Sequence, residues 1–135
     1  MSSQSIEEAV RAHLLDAAAV AAIVGVRIHP APLRREVELP AVAYQRVSTA
    51  RGRTQSGADG FGAARVQLSA FAATYRQARD LAAAMRKALH GRQAMLSTVP
   101  VHNVWSAGER DLPFEEATQT YGRVVDIAIE FDEAQ

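Results

Sequence analysis

Apolar residues recur along the chain with two periods. Ile6, Val10, Leu14 and Ala17 return at helical spacing, which puts them on one face of an amphipathic helix. The run Ser5-Ile6-Glu7-Glu8 just ahead has the hydroxyl and carboxylate spacing of a reciprocal capping box. Together they predict a helix over residues 5–22, stopped by Gly25. Its alanines leave little side-chain bulk and permit close approach to a sheet. Val26-Arg27-Ile28-His29 predicts a short strand ended by Pro30 and Pro32, followed by a charged connector over residues 31–39 that contains Arg34, Arg35 and Glu36.

Pro40 opens a second strand over residues 41–48. Val42 and Tyr44 lie on one side and Ala43 and Val47 on the other, a pattern that fits a strand covered on both faces for part of its length. In residues 63–73 the alternation is cleaner. Val66, Leu68, Ala70 and Ala72 oppose Arg65, Gln67 and Ser69, as in a half-buried antiparallel strand. Thr74-Tyr75-Arg76-Gln77 repeats the capping pattern and starts a helix that Gly91 ends, with Tyr75, Ala78, Ala82, Met85 and Leu89 as its apolar stripe. Residues 99–106 predict a strand, and residues 107–120 a loop carrying Pro113, Glu115 and Glu116. In the last strand, 121–132, Arg123, Val125, Ile127, Ile129 and Phe131 share one face, and Asp126, Glu130 and Asp132 the other. The order is helix, three strands, helix, two strands. It predicts an α+β fold, a two-layer domain with a mostly antiparallel sheet and two helices packed on it.

At 135 residues the chain fits a single domain spanning 1–135. Fifteen basic and fifteen acidic residues balance, so no bulk field draws the protein to nucleic acid or to an anionic membrane. Without cysteine, disulfides and thiolate-metal sites are excluded. The polar start, Met1 to Ser5, carries no signal peptide, and the apolar run 17–26 is too short to span a bilayer. A soluble protein made in the cytoplasm is expected.

Little in the sequence suggests catalysis. His13, His29, His90 and His102 show no metal-ligand spacing, and Ser106 lacks the glycine elbow of a serine hydrolase. The run Gly57-Ala58-Asp59-Gly60-Phe61-Gly62 is followed by a strand, whereas a phosphate cradle opens a helix. It reads instead as part of a flexible hairpin loop over residues 49–62, long enough to be a partner-contacting loop. Arg46, Arg51, Arg53 and Arg65 lie on or beside it. They suit a solvated hairpin end or ion pairs to a neighbouring subunit better than DNA phosphate, because no stacking aromatics are interleaved. Trp105, the lone tryptophan, reads first as a core residue and second as an interface anchor.

Several runs, taken in order, resemble a known family. Ile23-Val24-Gly25-Val26-Arg27-Ile28-His29-Pro30 is similar to its first signature, with His29 where tyrosine is frequent. Pro40-Ala41-Val42-Ala43-Tyr44-Gln45-Arg46-Val47-Ser48 is similar to its second. Val66-Gln67-Leu68, Phe71-Ala72, Tyr75, Ala78 and Leu81-Ala82 resemble its third, and Arg123-Val124-Val125-Asp126-Ile127 its closing strand. The family is the tail terminator, or tail-completion (head–tail joining), group of long-tailed phages, prophages and gene transfer agents. The resemblance runs from Leu14 to Phe131. It implies a structural virion protein of the phage neck, assembled in the host cytoplasm, and no enzyme. Such a protein forms a homohexameric ring on the tail tube protein, ends tube polymerisation, and meets a head-side stopper or connector protein. DNA passes through the channel without sequence-specific binding. No cofactor, metal or catalytic residue is implied. Heterologous rings need one surface to complement a different one, and the expected subunit or tube interface is Arg51, Arg53, Asp59, Phe61, Glu115 and Glu116. The alternatives are a head-completion or neck adaptor, a minor tail protein, or a small α+β ligand-binding domain or enzyme. The last would need a pocket with convergent polar groups.

Overall fold

The computed structural model describes residues 4–34, 36–54 and 57–132, with side chains described outside residues 51–61 and 132. Three helices, α1 (Ile6–Leu15), α2 (Ala18–Val24) and α3 (Tyr75–Leu89), accompany six strands: β1 (Ile28–Pro30), β2 (Ala41–Thr54), β3 (Gly57–Ala72), β4 (Ala94–Leu96), β5 (Val99–Glu115) and β6 (Thr120–Asp132). The strands form one sheet in the order β1-β2-β3-β6-β5-β4. Every pairing is antiparallel except β1 with β2. The α+β fold and the mostly antiparallel sheet are as expected, the one parallel pairing being β1 with β2; among the described residues the sheet carries three helices instead of two.

The helices cover one face. Ile6, Val10 and Leu14 of α1, Val20 and Val24 of α2, and Leu81, Met85 and Leu89 of α3 share a buried cluster with Val42, Val66, Leu68, Val125, Ile127 and Ile129 of the sheet. The period-two alternation of β3 and β6 therefore points the expected side chains inward. Tyr75 does not join the stripe of α3. It is 46% exposed, and its hydroxyl donates to the Asp111 carboxylate at 2.8 Å; Leu81 is buried with the stripe. The Ser5 capping box forms in both directions, with Glu8 N–H donating to Ser5 Oγ at 3.1 Å and Ser5 N–H to Glu8 Oε1 at 2.8 Å. Thr74 caps α3 by accepting from Gln77 N–H at 3.2 Å.

Four expected elements come out differently. The first helix is broken: Asp16 caps α1, and Ala17, in extended conformation, starts α2. The break lets Leu14 on one side and Val20 and Val24 on the other all reach the core. An alanine run has no bulky side chain to mark such a bend in advance. Val26 is 72% exposed and lies in a turn, so β1 begins only at Ile28. The expected loop 49–62 is instead a paired ribbon, with β2 and β3 in register out to Arg53↔Ala58 and Thr54↔Gly57. Likewise most of 107–120 continues β5 along β6, as far as Glu115↔Thr120. Gly62 serves packing and not a turn: an added Cβ would stand 2.8 Å from the Phe131 ring. The short edge strand β4 was not expected.

Candidate assembly surfaces

Rows of paired residues across the sheet fix where its ends lie. Ala41, Phe71, Gly122 and Leu112 form one row, and Arg51, Gly62, Phe131 and Val101 another. The β2–β3 tip lies beyond the second row and the β5–β6 tip beyond the first, so the two hairpin tips are at opposite ends of the molecule. Glu115 and Glu116 sit at the β5–β6 tip, both exposed. There Thr118 Oγ1 donates to Glu115 Oε1, and Gln119 Nε2 to the Glu116 carbonyl at 2.9 Å. Arg51, Arg53, Asp59 and Phe61 lie on the β2–β3 ribbon; their side chains are outside the described ones. The six candidates thus fall into two separated groups, not one site.

On the helix side a chain of ion pairs ties α3 to β5 and β6. Arg86 Nη1 donates to Glu109 Oε1 at 3.1 Å, Arg123 Nε to Glu109 Oε2 at 2.6 Å, and Arg123 Nη1 to Asp111 Oδ1 at 2.7 Å. The hydrogen bond to Glu109 is the main reason Arg123 holds its proton more tightly than usual, with the charges of Glu109 and Asp111 adding to it against the cost of burial. Every charge here has a partner, so the cluster holds elements together and leaves no group poised for proton transfer.

The opposite face, bare of helices, carries Arg65, Gln67, Ser69 and Phe71 of β3 and Gly122, Val124, Asp126 and Ala128 of β6, with Val124 and Ala128 themselves buried. Trp105 lies on this face, half-buried and in register with Ala128. It is therefore not part of the helix-side core, because the pleat of β5 turns Val104 inward and Trp105 outward. At the β5–β6 end of this face the connector folds over the sheet and leaves a groove of about 680 Å³, lined by Leu33, Val37, Leu39, Phe71, Leu112 and Phe114 among others. The charges in the connector had masked its apolar residues. Among the described residues no group of His, Asp and Glu side chains is placed to hold a metal ion, and no helix is long and apolar enough to cross a membrane.

This geometry, with two extended hairpins, a helix-covered face and a bare one, can be compared with known proteins. Comparison with curated sequences gives no significant match. Among solved structures, a chain from "Virion of native gene transfer agent (GTA) particle" superposes with a TM-score of 0.77 at 20% identity, covering 95% of this chain and 95% of that one. The likeness is one of fold. The family described as Tail completion protein gp17 matches residues 8–131, a span that includes all three helices but for the first two residues of α1, and all six strands but for the last residue of β6. The chain belongs to the tail completion protein family.

Proposed function

We propose that this protein is a structural subunit of a phage-type particle that closes the end of the tail tube. Copies assemble as a homohexameric ring on the last ring of the tube protein, stop its growth, and present their other side to the head connector. DNA passes through the central channel without being read. Family membership over residues 8–131 carries this reading. The fold shared with a chain of a gene transfer agent virion supports it, as do two long hairpins at opposite ends of the molecule. The protein catalyses nothing in this role.

Deletion of the gene tests the proposal. Electron microscopy of the resulting particles should show unjoined heads and abnormally long tails. Tails of normal length lacking heads would instead assign the protein to the head side of the neck, as an adaptor.

A further inference from the structure

The sheet is open at both sides, and each side is half covered. On the β2 side, β1 pairs only with Val42, Ala43 and Tyr44, so among the described residues 45–54 of β2 pair as a strand with β3 alone. On the β5 side, β4 pairs with Val99, Pro100 and Val101. The segment after α3 then covers the next stretch: Gly91 N–H donates to the Val104 carbonyl at 2.7 Å, Val104 N–H to the Arg92 carbonyl at 3.1 Å, and Ser106 N–H to His90 Nδ1 at 3.0 Å. Beyond that, residues 107–115 of β5 pair as a strand, among the described residues, with β6 alone. Long bare edges of this kind are templates for another strand.

We propose that these two edges are partners, and that the bare edge of β5 in one copy adds antiparallel to the bare edge of β2 in the next, running the sheet continuously from subunit to subunit. The inference rests on the ring reading above and specifies its contact. The two stretches nearly match in length. They run in opposite directions, since β2 is antiparallel to β3, β3 to β6 and β6 to β5. Each is blocked at the end where the other is open, β1 below the one and β4 with the 90–92 segment beside the other, so the copies fit in steps. Arg46 is already paired with Glu7, and Glu109 and Asp111 with Arg86 and Arg123, inside each copy, so backbone pairing and not charge carries the contact; Arg51 and Arg53 of the one stretch and Glu115 of the other are the remaining unlike charges. Contact between unlike surfaces is what a head-to-tail ring requires.

Within one copy Gln45, Gln67, Asp126 and Gly108 share a row. Placing Thr54 of the next copy beside Ala107 therefore shifts it by about 30 Å along the strands, for a sideways step of about 19 Å across the four strands β2, β3, β6 and β5. The strands then incline steeply to the ring axis, by about 58°, beyond the roughly 35–45° tilt of closed barrels. The helices lie on one side of the ring wall and the bare face on the other.

The chain contains no cysteine, so a disulfide trap is clean. Ala50 lies on the bare-face side in register with Ala63, as Arg110 and Leu112 do in register with Val124 and Gly122. Within one copy β2 and β5 are separated by two strands, about 14 Å, too far for an internal bridge. The full chain carrying Ala50→Cys with Arg110→Cys, or Ala50→Cys with Leu112→Cys, is assembled on tail tubes, checked for rings by microscopy, oxidised and run on a denaturing gel. A ladder of covalent multiples holding most of the chain is expected from at least one pair, and none from Ala50→Cys with Met95→Cys. Rings that give only monomer from both pairs, or a ladder only from the Met95 control, overturn the edge pairing while leaving the ring intact. Failure to find any ring overturns both.

Discussion

Ile127 and Gly62 show how closely single positions are fixed. Ile127 is fully buried, in register with Val66 and Ser106, and shares its cluster with Leu81, Met85 and Leu89. Ile127→Ala should lower stability by about 2–5 kcal/mol, and chemical denaturation would show it; an unchanged midpoint would mean that the last strand faces the other way. Gly62 is held against Phe131, whose ring is only 6% exposed and has little room to move. Gly62→Ala should cost about 1–3 kcal/mol by overpacking, and part of that should return when Phe131→Leu is added. Glu7 has a carboxyl that titrates below its ordinary 4.5. Burial pushes it up, but bonds from its own backbone N–H, from Arg46 and from Ser5 outweigh this. The folded value lies below the unfolded one, so the contribution is present above 4.5 and disappears as pH falls through the folded value. The Arg46–Glu7 pair at 2.8 Å is about three-tenths exposed on each side, so its worth is at most about 1 kcal/mol. Glu7→Gln should therefore melt slightly below the wild type at neutral pH, and the difference should close in acid.

At the level of elements, helix ends and strand edges behave differently. Both helix starts follow from local chemistry, because a hydroxyl that satisfies an otherwise unbonded N–H needs no distant partner. Ser5→Ala removes the acceptor for Glu8 N–H and should destabilise the protein by about 1 kcal/mol, read as a lowered denaturation midpoint. Strand lengths depend on partners. β5 runs to Glu115 because β6 is alongside as far as Thr120, even though Gly108 and Pro113 interrupt its apolar pattern. Register shifts at Ser106/Gly108 and Leu112/Glu115 absorb them, as bulges do elsewhere.

For the whole molecule, hairpin tips at opposite ends and open edges at opposite sides suit a subunit with a different neighbour in each direction. The arginines of the β2–β3 ribbon provide a test. Arg51→Ala with Arg53→Ala should leave the thermal melt of the subunit unchanged and reduce the fraction of head–tail joined particles counted by microscopy. Joining at the wild-type level would remove these side chains from the interface. Normal joining with altered DNA retention or ejection would place them on the channel instead.

Local sequence determined what depends on neighbours a few residues apart. The capping hydroxyls of Ser5 and Thr74, the inward alternation of Val66, Leu68, Val125, Ile127 and Ile129, and the α+β order of elements were all legible in it, because helical and strand periods are written into consecutive side chains. The runs around Gly25, Pro40 and Arg123 also pointed to the tail completion family. Tertiary structure decided the rest. The bend at Asp16 depends on the core that both helix pieces must reach. The long hairpins depend on ladders between backbones whose glycines resemble loop residues when read singly. Trp105 was left on the bare face by the pleat and register of β5 against β6. Which edges remain open follows only from strand order, since β1 and β4 each cover a few residues of their neighbours, and nothing within either short segment states how far that cover extends.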